Sequence, residues 1–384
     1  MPRMDGGAAL PGTARLRTRT LEVRDADVGP AMAIAGSPLV NFCSNDYLGL
    51  AGSPLLRDAA ITAIERYGVG AGAAALLSGW TVAHQELATA VADYLERDRA
   101  LLFSSGYLAN LGVLAALAGR HDEVFHDRLN HASLIDGVKL SGARSTRYRH
   151  ADPADLERRL AVAQGGRRFI VTDGVFSMDG DCAPLRELAH LARAHEALLI
   201  CDDAHGFGVL GAGRGLPAAL GLTQQEVPLL VVTFGKSLGT AGAAVVGRAD
   251  LIESLQQNAR TFIYDTASPP ALAAATSAAL GLLRRDTSLV TRLDSNIAYF
   301  HAGLRRIGLP VPASRTPIQP VVLGDDALAL DAAQSLRERG YYVRAIRPPT
   351  VPEGTSRLRI CLSAAHTEAQ IDGLVDALQQ TLGA

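Results

Sequence analysis

The chain has 384 residues, 48% of them hydrophobic and 20% charged, with a formal net charge of −2. That is the profile of a folded globular protein with room for two or three lobes, and it excludes a global field for nucleic acid or acidic membranes. Four widely spaced cysteines (Cys43, Cys182, Cys201, Cys361) make neither a metal-type pair nor a disulfide framework, which fits a reducing cytoplasm. The start of the chain lacks the apolar core of a signal peptide. No stretch reaches the roughly 18 uninterrupted apolar residues of a membrane span. The alanine-rich run 270–283 comes nearest and reads as a buried helix.

The residues up to about Pro38 are rich in Gly, Pro and Arg and weakly periodic, so residues 1–50 are expected to form an N-terminal arm. From Ala100 onward, short apolar runs alternate with helical patterns. Residues 100–103, 123–125, 169–172, 197–201, 229–233 and 243–246 read as strands buried on both faces and mostly parallel. The segments 154–163 and 184–192 read as covering helices. The pattern predicts an α/β domain over 51–286, a mostly parallel sheet with helices on both faces. A change of composition near 284–294 marks a smaller C-terminal α/β lobe, 287–384. There strands are expected at 318–323, 341–346 and 356–363, with a helix around 330–339. The last helix begins at a capping box, Thr367-Glu-Ala-Gln370, and carries the apolar stripe Ile371, Leu374, Val375, Leu378 and Leu382.

Chemistry gathers at the ends of the predicted strands, where open α/β sheets bind ligands. Phe103 leads into Ser104-Ser-Gly-Tyr107, Thr172 into Asp173-Gly-Val-Phe-Ser177, Cys201 into Asp202-Asp-Ala-His205, and Thr233 into Phe234-Gly-Lys236. The chain has only two lysines, Lys139 and Lys236. Arginine supplies the rest of the basic charge but cannot lose its proton to bond a carbonyl carbon; a lysine can. Each feature has a plain alternative: a turn lysine, a helix-capping aspartate, a core histidine, a simple strand-to-helix turn. Together they suit pyridoxal phosphate. Lys236 offers the amine, and Asp202 a carboxylate for the ring nitrogen. His205 and Ser177 offer hydrogen bonds to the ring oxygen, and His131 a flat group to stack. Gly106 and Tyr107 open a helix where phosphate is attracted. Thr233 adds a hydroxyl.

The motifs Asn45-Asp-Tyr-Leu-Gly-Leu50, Asn130-His-Ala-Ser133, Phe176-Ser-Met-Asp-Gly-Asp181, Asp202-Asp-Ala-His-Gly206, Thr233-Phe-Gly-Lys236 and Thr355-Ser-Arg-Leu-Arg359 fall in one order along the chain. In this the chain resembles the α-oxoamine synthases, fold-type I pyridoxal-phosphate enzymes of aspartate-aminotransferase-like architecture. The resemblance runs from about Asn41 to the end. It implies an acyltransferase that joins an amino acid to an acyl thioester with loss of carbon dioxide, working as a homodimer with sites at the subunit interface. Lys236, His131 and Asp202 would be catalytic, and Thr266 would reach the phosphate of the partner subunit. Asn45, Arg347 and Thr350 would bind substrate, Arg347 as a fork on a carboxylate. Arg17 would meet the far carboxylate of the acyl chain, with Arg15 and Arg19 as neighbouring candidates. The segment 345–355 looks most like the member that takes L-alanine and a pimeloyl thioester of coenzyme A or acyl carrier protein. A sister synthase using glycine and a non-catalytic cofactor-binding protein are the alternatives. Two departures stand out: Ala74 and Ala75 replace a polar pair in the glycine-rich segment, and Asp203 stands where many relatives carry Glu.

Overall fold

The computed structural model describes residues 21–24, 28–164 and 166–383. Strands β1 (Ala31–Ile34) and β2 (Ser37–Asn41) form an antiparallel hairpin. Its turn, Ala35-Gly36, has positive φ at both residues, 51° and 74°, the turn that matches strand twist. The sequence reads this stretch as an arm because two short strands of mixed polarity give no clear period.

A seven-stranded sheet forms the centre. Its strands are β3 (Arg99–Phe103), β4 (Glu123–Asp127), β5 (Arg144–Tyr148), β6 (Arg168–Asp173), β7 (Ala197–Asp202), β8 (Leu229–Thr233) and β9 (Ala243–Gly247), in the spatial order β3-β9-β8-β7-β6-β4-β5. Only β9 runs against its neighbours. The connection 234–242 is too short for a crossover, so β9 must return antiparallel. Strand β5 was not expected. Its sequence, Arg-Ser-Thr-Arg-Tyr, is polar because it lies at the sheet edge with only Tyr148 fully buried.

Side chains alternate between two cores. Ile170, Leu199, Leu230, Val232 and Val246 pack with helices Val82–Tyr94, Leu185–Ala194 and Pro270–Arg285. Phe169, Val171, Ile200, Val231 and Val245 face helices Gly106–Leu117, Ala132–Ser141 and Ala249–Asn258. Burial on both faces explains the continuous apolar runs.

In the C-terminal lobe β10 (Ile318–Gly324) pairs antiparallel with the terminal strand of the chain. The expected strand at 341–346 is split in two. β11 (Tyr341–Tyr342) joins β2 in parallel, and β12 (Arg344–Ile346) joins β13 (Ser356–Cys361). Hairpin and lobe are thereby stitched together. Helix Asp326–Glu338 fills the expected position. Helix Glu368–Leu382 starts at the Thr367–Gln370 capping box and buries Ile371, Leu374, Val375 and Leu378, with Leu382 half-buried. No helix among the described residues is long and apolar enough to cross a membrane.

Candidate active site

The ends of β3, β4, β6, β7 and β8 lie along one edge of the sheet. Phe103 and Thr233 both pair with Ala243, and Asp173 pairs with Asp202, itself opposite Val231. Above this edge a cavity of about 200 Å³ is lined by Gly106, Tyr107, Asn110, His131, Ser133, Asp173, Ser177, Asp202, Ala204, His205, Thr233 and Lys236. The cofactor residues named from sequence therefore come together, Thr266 excepted.

Lys236 sits in the turn between β8 and β9. Phe234 N–H bonds Gly242 O at 2.9 Å and Gly239 N–H bonds Lys236 O at 3.0 Å. Gly239 has φ +67°, and a Cβ there would lie 2.4 Å from Ala51 N, so the turn requires glycine. Burial pulls the Lys236 ammonium below its ordinary value against the attraction of Asp202 and Asp173, which favours a free amine.

Asp202 ends β7, buried. Its Oδ2 accepts from Asn110 Nδ2 at 2.6 Å and its Oδ1 from Ala204 N–H at 3.0 Å. Asn110 also donates to Ser133 Oγ at 2.9 Å, while its Oδ1 is buried without a hydrogen-bond partner. Asp173 Oδ2 accepts the His131 N–H at 2.6 Å. Burial, then the charge of Asp202, raises Asp173 well above the usual carboxylate range. His131 heads helix Ala132–Ser141, its Nδ1 2.7 Å from Ser133 Oγ, and is exposed. His205 is buried, 2.7 Å from the Tyr47 hydroxyl. Burial and then Lys236 hold it well below its ordinary value, in the neutral form.

Gly106 and Tyr107 are the first residues of helix Gly106–Leu117, so their N–H groups have no intrahelical acceptor. The Ser105 cap takes the Leu108 N–H at 3.2 Å. A Cβ on Gly106 would lie 2.4 Å from Thr233 Cγ2, so glycine lets the helix end meet β8. The exposed Tyr107 donates its hydroxyl to Asp136 Oδ2 at 2.5 Å.

Sequence reasoning missed Arg359, although it stands in a quoted motif, because its alternation with Arg357 on β13 reads as an ordinary strand. Arg359 is buried. Its Nε donates to Ser177 O at 2.6 Å, and both Nη atoms reach Asn45 Oδ1, at 3.4 and 3.3 Å. No carboxylate lies within ion-pair reach of it among the described residues. Arg347 (half-buried) and Thr350 (exposed) follow β12, outside the cavity lining. Thr266 bridges Ala74 and also lies outside it. Arg17 lies outside the described residues.

The donor set fits pyridoxal phosphate. A lysine of lowered basicity can bond the aldehyde, a buried carboxylate can pair with the ring nitrogen, and a helix N-terminus with a threonine hydroxyl can hold the phosphate. The unpartnered Asn110 Oδ1 leaves an acceptor waiting beside Asp202.

Comparison with known proteins agrees with this geometry. The chain belongs to the aminotransferase class I and II family, whose model matches residues 37–378. More particularly, it is similar to the 8-amino-7-oxononanoate synthases. The enzyme of that name from Methylococcus capsulatus is 56% identical over 348 residues, 90% of each chain. A crystal structure of 8-amino-7-oxononanoate synthase from Francisella tularensis matches with TM-score 0.78 and 31% identity, over 90% of this chain and 98% of that one. A structure of serine palmitoyltransferase holding pyridoxal phosphate matches with TM-score 0.91 and 33% identity, over 94% of this chain and 92% of that one.

Proposed function

We propose that the protein is a pyridoxal-phosphate-dependent acyltransferase of biotin biosynthesis. It condenses L-alanine with a pimeloyl thioester, of coenzyme A or acyl carrier protein, to give 8-amino-7-oxononanoate, carbon dioxide and the free thiol. The observation that carries this is the cavity itself: one amine of lowered basicity faces Asp202 and Asp173 in a chain 56% identical to an enzyme of that activity. The fold is shared with serine palmitoyltransferase at 33% identity, so the 56% identity over 90% of the chain to an 8-amino-7-oxononanoate synthase favours the alanine reaction.

When bound, pyridoxal phosphate supplies a ring that accepts the electron pair left at the alanine Cα. The chain's residues do the rest. Lys236 Nζ would hold the cofactor and would serve as the base for the alanine Cα proton, a role for which its lowered basicity leaves the amine free. Asp202 would keep the ring nitrogen protonated, with Asn110 and the Ala204 N–H fixing the carboxylate. His131 would stack on the ring, while neutral His205 and Ser177 would meet its oxygen. The N–H groups of Gly106 and Tyr107, with the Thr233 hydroxyl, would bind the phosphate.

Arg359 is the buried cation beside Ser177 and Asn45, and we assign it the alanine carboxylate; the family resemblance implies a carboxylate fork at Arg347 without saying which carboxylate. Arg347 and Thr350 remain substrate contacts on the segment leading to β13, with Asn45 held against Arg359 outside the cavity lining. We place the reaction in the cytoplasm, where four free thiols are stable.

The assembly is a homodimer in this reading. Apolar Val69, Leu76 and Leu77 are exposed along the glycine-rich segment, and Thr266 is bridged to that segment at Ala74, which would bring it to the partner's phosphate site. Sedimentation that finds an active monomer would refute this. The reaction is tested with alanine labelled in its carboxyl carbon. Label must leave as carbon dioxide, and the product must keep the other two carbons; label retained in the product would refute it.

A further inference from the structure

His150 follows β5 and lies half-buried between two loops of the site. Its Nδ1 is 3.0 Å from Asp127 Oδ1 and its Nε2 is 2.8 Å from Asp181 Oδ2. Ionised carboxylates only accept, so both ring nitrogens donate and the imidazole is a cation. Its edge stands on the Phe176 ring, centroids 4.4 Å apart and planes at 88°. Burial opposes the charge, but the hydrogen bonds His150 donates to both aspartates outweigh it and His150 is pushed up to about 10.

Each aspartate organises a different loop. Asp127 ends β4 and accepts the N–H groups of Leu129 at 2.8 Å and Ala151 at 2.7 Å, fixing the turn that runs to His131. Asp181 closes the loop after β6: Phe176 N–H bonds Asp181 O at 2.9 Å, and Gly180 N–H bonds Phe176 O at 2.8 Å. Ser177 lies inside that loop, lines the cavity, and accepts from Arg359 through its carbonyl. The loop's other side is held at Gly180 O by the hydroxyls of Ser314, at 3.0 Å, and Thr316, at 3.1 Å.

We propose that His150 is a positioning residue: it clamps the Ser177 loop to the exit of β4 and so sets the site's affinity for its amino acid. Among the described residues the loop would otherwise be tied at its base by the Gly174 N–H to Asp202 O and beyond that to the C-terminal lobe, through Ser314, Thr316, Arg357 and Arg359, and Arg359 would follow it. The idea rests on the amino-acid site proposed above. The other charged groups facing this region are Asp179 and Arg357, which pair with each other, and Arg149, which pairs with Asp152 and Asp155.

The test uses the cofactor-loaded enzyme and its His150→Gln and Asp181→Asn variants. Asp181→Asn leaves the His150–Asp127 bond in place and decides alone where His150→Gln does not fold. L-Alanine, glycine and L-serine are titrated by the change in cofactor absorbance, and amide exchange is followed for residues 174–183. Both variants are expected to bind the wild type's preferred amino acid about tenfold more weakly, a loss of one hydrogen bond's worth of affinity. Exchange should quicken in 174–183. The variant-to-wild-type ratio of affinity should approach one near pH 10, where the wild-type clamp also loses its charge. Unchanged affinity in Asp181→Asn, with or without faster exchange, overturns the clamp. A preference for glycine or serine would overturn the proposed reaction but leave that ratio to judge the clamp. Binding of none of the three overturns both.

Discussion

Asp173 and Asp202 are register partners across β6 and β7, two carboxyl groups at one level of the same sheet edge. They are not equivalent. Asp202 is fixed by Asn110 and the Ala204 N–H. Asp173 takes the His131 N–H, and its burial beside Asp202 favours its neutral form. An amide copies a neutral carboxyl. Asp173→Asn should therefore keep cofactor binding and hold turnover within about threefold, whereas Asp202→Asn should lower turnover at least about 100-fold. Steady-state rates beside cofactor absorbance check this. Equal losses in the two variants would mean that the roles are shared.

The contact of helix Gly106–Leu117 with β8 leaves no room for a methyl group. Gly106→Ala would place Cβ 2.4 Å from Thr233 Cγ2 and push the helix end away from the phosphate position. Cofactor affinity should fall by about tenfold or more, since overpacking costs on the order of 1–3 kcal/mol. Adding Thr233→Ser, which keeps the hydroxyl and removes Cγ2, should restore much of it. Equilibrium dialysis of the cofactor measures both. A double variant as weak as the single one would refute the steric cause.

Arg359→Ala should raise KM for L-alanine by roughly 10- to 150-fold, since a charge-assisted hydrogen bond is worth about 1.5–3 kcal/mol. The cost to kcat should be smaller. Arg347→Ala should leave that KM within about threefold. The reverse ranking would assign the alanine carboxylate to Arg347 instead.

The strands of the central sheet were legible because burial on both faces writes itself as unbroken apolar runs, as in Leu-Leu-Val-Val-Thr of β8. β5 was not, because an edge strand buries little. The split at Tyr342 was not, because residues 341–346 make one run that only tertiary pairing divides between two sheets. Lys236, Asp202 and His205 could be found as polar residues placed directly after such runs. Asn110 lies one turn inside a helix, and Tyr47 meets His205 from 158 residues away. No local pattern announces such partners. Arg359 shows the same limit: what distinguishes it from Arg357 is that Arg357 has an acid, Asp179, and Arg359 has none among the described residues.

His150 also links pH to stability. Its folded value of about 10 lies above its ordinary 6.5, so its contribution is fully present below pH 6.5 and is lost as pH rises through about 10. Wild type should melt a few degrees above His150→Gln near pH 6.5, about 3 °C, with the gap closing toward pH 10. Thermal melts across that range test the sign. A gap that widened with pH would contradict a charged His150.

The most direct measurement is thiol release from pimeloyl-CoA by the cofactor-loaded protein, with L-alanine, glycine or L-serine, beside Lys236→Ala. Release with L-alanine, matched by 8-amino-7-oxononanoate and absent in Lys236→Ala, is the predicted result; where pimeloyl-CoA gives nothing, pimeloyl-acyl carrier protein is the second donor. Release only with glycine or serine, no release with either donor, or full activity in Lys236→Ala would contradict it.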